Sequence, residues 1–441
     1  MNNNPHKTHV SIVINLSVQS QSVYENTASR TRAKWLFDAA DWVDAHSNLF
    51  VDAIVLEGVK TLSEAQAEVR RASGVLRLSS EEATRIIGST IDFGQDIRGE
   101  GRIGWVKHKP IGVVLGITPF NDPLNLVAHK VGPAIAAGNA VIIKPHPNTP
   151  TPAKLLKRAF DEASLPNGLF QVMSGGDDIG KALVESPDVS MVSFTGGRSA
   201  GRAIAQAAIG KPLALELGGV AVTIIASDAD LEVAAPRLVS GMFATAGQNC
   251  LHVQRVLASH EIFNELSSLL VKYTKQLSLN PSGDVRAQIG RIVNEEAIAR
   301  CEAWVSQAVQ SGGRILIGGR RTSDGYLPTI VAGAGATSKI CTKEIFGPVT
   351  SLEKFTDIDE AIEKAASSGP ALAAAIFTRS LDLPFKLQKL SVGQIIVNDS
   401  TDFRIDAMPF GGNKSAGMGR EGVQSAIQAM TEQQVICFAN S

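Results

Sequence analysis

Between residues 28 and 90 apolar positions recur every three or four residues, with charged residues in the gaps. Ala33, Leu36, Ala39, Ala40 and Val43 form one such face, and Val51, Ile54 and Val55 continue it, which predicts amphipathic helices. Ahead of them, residues 10–18 (Val-Ser-Ile-Val-Ile-Asn-Leu-Ser-Val) alternate and predict a β-strand instead of the unbroken apolar core of a signal peptide. From about 111 the texture changes. Short apolar runs at 111–117, 141–144, 169–173 and 189–194 are separated by helix-like stretches at 124–138, 151–163 and 177–185. The alternation continues with a run at 222–226, a helix over about 228–245, a run at 255–258 and a helix over 261–276. Further strand-like runs stand at 372–378 and 393–397. Strand and helix in turn at this spacing predict βαβ units around parallel sheets.

Composition narrows this picture. With 441 residues, 44% of them hydrophobic and 19% charged, the chain is expected to fold as two or more globular domains. A formal net charge of -1 leaves no electrostatic footprint for nucleic acid or an anionic membrane. No run of 18 apolar residues exists to span a bilayer. Cys250, Cys301, Cys341 and Cys437 are scattered, with neither a CxxC pair nor metal-ligand spacing. Such usage suits a cytoplasmic protein with free thiols and no bound metal.

Candidate chemistry sits in four segments. A G-x-G-x-x-G fingerprint is missing after the first strand, and Gly333-Ala-Gly335 is a weak, loop-like match. The better phosphate loop is 193–201, Ser-Phe-Thr-Gly-Gly-Arg-Ser-Ala-Gly, where a strand ends in glycines and a helix starts at once, its N–H groups free for a pyrophosphate. An ordinary tight turn has the same pattern. Gly247-Gln-Asn-Cys250 ends a polar, glycine-containing turn in a thiol; a lone cysteine is more often a small buried hydrophobe, but these flanks do not suit a core. Glu216 is stranded in the apolar run Leu213-Ala-Leu-Glu-Leu-Gly-Gly219. Buried there, its raised pKa would suit a general base; on a half-exposed strand it would be ordinary. Asn121 places an amide just after a buried strand and could serve equally as a helix N-cap.

Taken in order, these segments resemble the aldehyde dehydrogenase superfamily from about residue 28 to the end. The order is Pro119-Phe-Asn121, Lys144-Pro145, Phe194-Thr-Gly196, Glu216-Leu-Gly-Gly219, Gly247-Gln-Asn-Cys250, Glu344-Ile-Phe-Gly-Pro348 and Pro409-Phe-Gly-Gly412. The resemblance implies an α/β fold with a Rossmann-like cofactor domain (1–93 and 112–218), an α/β catalytic domain (219–412) and a small β oligomerisation arm (94–111 and 425–441). It also implies that Cys250 attacks an aldehyde carbonyl, that the Asn121 amide and the Cys250 N–H hold the oxyanion, and that Glu216 activates water to hydrolyse the thioester. NAD or NADP would be bound by Phe120, Lys144, Gly196, Gly197, Gly201, Leu217, Glu344 and Phe346. Lys144 would reach the adenosine ribose, Glu344 the nicotinamide ribose, and Gly196 and Gly201 would belong to a phosphate-facing helix start.

Three departures modify these expectations. The acid often found three residues after the lysine is replaced by Pro147, which removes a charge that would repel a 2′-phosphate and favours acceptance of NADP. Gly197 replaces a frequent hydroxyl residue, with Arg198 beside it either as a substitute contact or as a solvated helix start. The lead before the first helix pair is short, so an N-terminal strand or arm is expected to be trimmed. For the substrate, Arg404 suits a carboxylate, phosphate or phosphonate, although a salt bridge with Asp402 or Asp406 is equally open to it. Arg70 and Arg71 are expected near the same mouth. His252 either lines that mouth or is a packed or solvent-facing histidine. With 3 Tyr and 4 Trp in the chain, a small anionic or hydroxylated aldehyde (a semialdehyde, lactaldehyde or phosphonoacetaldehyde) is expected over a bulky apolar one. Glu216 argues for hydrolysis; a coenzyme A-acylating semialdehyde dehydrogenase and a family member retired to a structural or binding role are the alternatives. The exposed arm strands predict a homodimer or homotetramer.

Overall fold

The computed structural model describes residues 5–279, 288–323 and 325–439; the outermost ends of the expected cofactor domain and arm, 1–4 and 440–441, lie outside them. Four helices open the chain: α1 (Pro5–Tyr24), α2 (Ser29–Ala45), α3 (Ser47–Glu57) and α4 (Leu62–Ala83). Next come β1 (Ser89–Thr90) and β2 (Ile103–Pro110), then a first alternating block of β3 (Val113–Ile117), α5 (Asn125–Ala137), β4 (Ala140–Lys144), α6 (Thr151–Glu162) and β5 (Phe170–Val172). It continues as α7 (Asp177–Glu185), β6 (Met191–Gly196), α8 (Arg198–Ala207) and β7 (Leu213–Leu217). A second block holds β8 (Val222–Ile225), α9 (Leu231–Phe243), β9 (Arg255–Ser259), α10 (Phe263–Thr274), α11 (Glu295–Gln310), β10 (Arg314–Ile317), β11 (Arg321–Thr322), β12 (Gly325–Tyr326) and β13 (Thr329–Ala332). After these stand α12 (Lys339–Thr342), β14 (Val349–Phe355), α13 (Ile358–Ser367), β15 (Ala371–Phe377), α14 (Leu383–Lys386) and β16 (Val392–Val397). The chain closes with β17 (Gly417–Met418), α15 (Val423–Ala429) and β18 (Thr431–Phe438).

One expectation fails at the N-terminus, where α1 replaces the strand expected over 10–18. Val10, Ile14 and Ser17 are buried, at i, i+4 and i+7, so the same residues that alternate also line one helix face. Packing of that face on the first core overrides the β preference of its valines and isoleucines.

The first block folds into a six-stranded sheet of order β17-β7-β6-β3-β4-β5, parallel except for β17. Its central strands are buried on both faces, which is why they read as continuous apolar runs. The chain leaves β3 towards β4 on one side and returns as β6 on the other. At such a switch the loops after the two strands part and leave a crevice at their carboxyl ends. The second block forms a seven-stranded sheet, β10-β13-β14-β9-β8-β15-β16, parallel except for β10. A third sheet, β1-β2-β18, is antiparallel and draws in residues 89–90 as well as the expected arm segments.

Candidate active site

The crevice of the first sheet opens into a cleft of ≈ 800 Å³ whose walls include Asn121, Glu216 and Cys250 together. Each arrives on a different element. Asn121 lies in the loop after β3, and the N-cap of α5 is Leu124 without a side-chain bond, so Asn121 is not a helix cap. Glu216 is the fourth residue of β7, paired with Thr195 of β6 on one side and Gly417 of β17 on the other. Its side chain is buried and neither carboxylate oxygen has a hydrogen-bond partner among the described residues. Burial, reinforced by the nearby Glu421 carboxylate, raises its pKa well above the ordinary carboxylate range, against the pull of Lys130 and Arg404.

Cys250 follows a turn in which Thr245 (φ 54°), Ala246 (φ 55°) and Gly247 (φ 67°) are all left-handed. A β-carbon on Gly247 would stand 2.2 Å from the Gly347 oxygen, so glycine lets this turn dock on the 344–348 segment. Gln248 fastens it, donating to the Thr245 and Arg291 carbonyls and accepting from the Val293 N–H at 2.8 Å. Burial pushes the Cys250 thiol pKa up, and Glu344 and Glu216 push in the same direction.

For the expected nucleotide, the cleft wall includes Phe120, Gly196, Gly197, Leu217, Glu344 and Phe346. The start of α8 is capped by Gly197 with no side-chain bond, which leaves its first-turn N–H groups open to an anion. Phe120 meets Phe346 edge-on at 5.9 Å. Glu344 bends over the exit of β7, where a β-carbon on Gly218 would lie 1.8 Å from its Oε2; burial raises it to about 7. These open donors and the bare backbone at Gly197 fit a dinucleotide.

Gly201 and Lys144 stand outside the cleft wall. The Gly201 N–H is spent on the Gly197 carbonyl at 3.0 Å, and a β-carbon there would come within 2.3 Å of Leu217 Cδ2. It therefore sets the closeness of α8 to β7 and has no N–H left for a phosphate. Lys144 is buried along α7, 3.4 Å from where a Gly180 β-carbon would be. Burial lowers its pKa, opposed by Asp177 and Asp178 at the start of α7.

At the substrate side, Arg404 lines the cleft. Its guanidinium lies 3.9 Å from the Phe410 ring centroid, and Nε and Nη2 have no hydrogen-bond partner among the described residues. The expected alternative, a salt bridge with Asp402 or Asp406, does not form: Ser400 binds Asp402, while Arg71 and His129 bind Asp406. Arg71 reaches the cleft and Arg70 does not. His252 does not reach it either. It is packed away from the mouth, and burial lowers its pKa to about 4. Arg198 lies exposed at the start of α8, lines the cleft, and donates to the Gly218 and Pro370 carbonyls at 2.7 Å each.

Sequence reasoning missed a buried pair behind Glu216. Lys130 on α5 donates to Ser193, Thr195 and Glu421 at 2.9, 2.9 and 2.7 Å. Burial pushes Glu421 up, yet Lys130, His129 and Arg404 hold it down at about 2. A lysine inside the mostly apolar 124–138 stretch, beside Asn125 and His129, was the available signal; nothing local marks Glu421. No group of three His, Cys, Asp or Glu among the described residues could hold a metal ion, and no described helix is long and apolar enough to cross a membrane.

Open helix-start donors beside a half-buried thiol and a carboxylate unpartnered among the described residues fit an enzyme that handles a nicotinamide nucleotide and a carbonyl substrate. The model of the aldehyde dehydrogenase family matches residues 4–436, so the likeness extends further towards the N-terminus than residue 28. Aspartate-semialdehyde dehydrogenase 1 of Pseudomonas canavaninivorans is 41% identical over 92% of this chain and 87% of its own length. The 3-sulfolactaldehyde dehydrogenase of Priestia aryabhattai is 39% identical over 96% of this chain and 90% of its own. Among solved structures, the glyceraldehyde-3-phosphate dehydrogenase of Methanocaldococcus jannaschii, complexed with NADP, superposes with a TM-score of 0.93 at 31% identity, covering 98% of this chain and 95% of that one. The chain belongs to the aldehyde dehydrogenase family and has its fold; it is an NAD(P)-dependent enzyme.

Proposed function

We propose that this protein oxidises a small anionic aldehyde to the free carboxylic acid through a thioester on Cys250. The observation that carries the substrate class is Arg404, a cleft-lining guanidinium with two donors unspent. A partner-poor cation in a partly dry site gains most from an anion that brings its own acceptors. The three relatives above are named for aldehydes bearing a carboxylate, a sulfonate and a phosphate, which supports the same class.

In this reading Glu216 takes the proton of the Cys250 thiol, since both are raised together and share one cleft. The sulfur adds to the aldehyde carbon, and the oxygen that becomes anionic is held by the Asn121 side-chain amide and the Cys250 N–H. A bound nicotinamide nucleotide would supply the hydride acceptor, with Gly196, Gly197 and the α8 start facing its pyrophosphate and Glu344 its nicotinamide ribose. The thiol proton passes from Glu216 to solvent. Glu216 then removes a proton from water, whose oxygen attacks the thioester carbon, and collapse of the adduct releases the acid and a Cys250 thiolate that takes the proton back from Glu216. A base at this position supports hydrolysis over transfer to coenzyme A. For the nucleotide, Pro147 leaves room for a 2′-phosphate, while Asp177 and Asp178 add negative charge near Lys144; we take NADP to be accepted alongside NAD. We assign the six-stranded sheet and its helices to cofactor binding, the seven-stranded sheet to the catalytic domain and the antiparallel sheet to self-association. The four unpaired cysteines fit a reducing cytoplasm.

The test is a panel of small aldehydes with both nucleotides, following the absorbance of the reduced nicotinamide. Arg404→Met should raise KM for an aldehyde bearing a carboxylate or sulfonate about 10- to 100-fold, the loss expected for a charge-assisted bond, and shift KM for propanal less than about twofold. Equal losses on both substrates would remove the anion from the proposal. A strong preference for NAD would remove NADP.

A further inference from the structure

The turn that carries the thiol, the loop that carries the Asn121 amide and the loop that carries Arg404 come from three distant parts of the chain, and α4 touches all three. Glu64, Glu68 and Arg71 stand at i, i+4 and i+7 and so project from one side of that helix. Glu64 closes the capping box of α4, its Oε2 accepting the Thr61 N–H at 2.8 Å. Its other oxygen accepts the Thr245 N–H at 2.6 Å, at the first left-handed residue of the turn before Cys250. Two residues with β-carbons do not hold that conformation unaided.

One turn further along, Glu68 is buried, and its Oε1 accepts the N–H groups of Leu124 and Asn125 at 2.7 and 3.0 Å. The α5 N-terminus has no side-chain cap of its own, so α4 supplies from outside what a local serine or aspartate usually supplies. The second Glu68 oxygen pairs with buried Lys60 at 2.8 Å, and Lys60 also pairs with Asp122, the neighbour of Asn121. Arg71 then grips both oxygens of Asp406, at 2.7 and 3.3 Å, with His129 on the same carboxylate at 2.9 Å. Asp406 lies two residues beyond Arg404.

We propose that this face of α4 is the positioning element of the reaction: Glu64 sets the thiol, Glu68 with Lys60 sets the oxyanion amide, and Arg71 sets the guanidinium that takes the substrate anion. None of the three acts on the reacting atoms itself. Carried on one rigid helix, the anchors fix the separations among thiol, amide and guanidinium, and a misplacement of about 1 Å can cost 10²-fold in rate. The proposal rests on the roles given above to Cys250, Asn121 and Arg404.

Each anchor has its own readout in the full-length enzyme with NADP. Glu64→Leu should slow iodoacetamide alkylation of Cys250 and lower kcat, both about tenfold, and Glu64→Gln, which keeps an acceptor for Thr245, should restore alkylation to within about twofold. Glu68→Ala should lower kcat about 10- to 100-fold with alkylation unchanged, because the amide matters only once the carbonyl oxygen is anionic. Arg71→Met should raise KM for the anionic aldehyde about tenfold and that for propanal less than twofold. If an apolar variant does not fold, Glu64→Asp and Glu68→Asp, each one methylene short, replace it with the same expected split. The proposal is overturned if folded variants leave all readouts at wild-type values, or if alkylation, kcat and KM decline in parallel whichever anchor is changed. Alkylation consumes no aldehyde, so a wrong substrate class leaves that arm readable.

Discussion

Neither carboxylate oxygen of Glu216 finds a donor among the described residues, and Glu421 sits near enough to repel it. Folding therefore favours the protonated side chain. A folded pKa above the unfolded value gives stability that is present at low pH and lost as pH rises through the folded pKa. Glu216→Gln has no such titration. Its Tm should exceed that of the wild type near pH 8, by about 1 °C for each kcal/mol of buried-charge cost in a chain of this length, and the gap should close as pH falls towards the ordinary value of 4.5. The same variant should still reach a burst of reduced nucleotide close to the enzyme concentration, but more slowly than the wild type because the thiol has lost its base, while steady turnover slows at least about 100-fold. A wild-type steady-state rate, or a Tm gap independent of pH, would count against a buried base. The residue itself was legible in the sequence, as was the turn ending in Cys250, because each announces itself within seven neighbouring positions. Lys130 and Glu421 were not, since they meet only after the chain has folded. Arg404 lies between: its position could be read, but the fate of its rival partner Asp406 could not, because Arg71 and His129 come from elsewhere.

At the level of elements, periodicity placed most of the helices and strands, and it failed where two periods coincide. Val10, Ile14 and Ser17 satisfy a helix as well as a strand, and only the core beneath them decides. The 193–201 segment shows the opposite case, since strand, turn and helix stand where their pattern put them. The detail that changes is the work done by one glycine. Gly201 faces Leu217 instead of a ligand, so its effect on nucleotide binding has to pass through the seating of α8. Gly201→Ala should push that helix off β7, destabilise the fold by about 1–3 kcal/mol as other overpacked contacts do, and weaken NADP binding. Leu217→Ala removes the atoms in the way, so the double variant should recover part of both losses, which calorimetric Kd and Tm values would show as a non-additive cycle. Additive losses would mean that the two residues act separately and that Gly201 has a direct part in the site.

The molecule as a whole leaves one sheet unfinished. β18 is an edge of the three-stranded sheet, and its register with β2 sets Phe438 opposite Ile103 and Ile436 opposite Trp105. Side chains opposite one another share a face, so Ile103, Trp105, Ile436 and Phe438 form an apolar strip, with the Trp105 and Phe438 rings 5.6 Å apart. Ile103, Trp105 and Phe438 are exposed at 67%, 42% and 54%. An open strand edge beside such a strip is a template for another chain unless a partner covers it. Closed symmetry then makes a dimer the smallest assembly that buries it on both copies. Sedimentation velocity at about 1 µM should give a dimer or a multiple of one for the wild type. Trp105→Glu places a charge at the centre of the strip, which an interface that excludes water cannot neutralise, and should reduce the assembly to a smaller one. None of the residues that wall the cleft lies on β1, β2 or β18, so the dissociated form should still react with iodoacetamide at Cys250. A monomeric wild type at that concentration, or an assembly indifferent to Trp105→Glu, would show that the strip serves another partner or none.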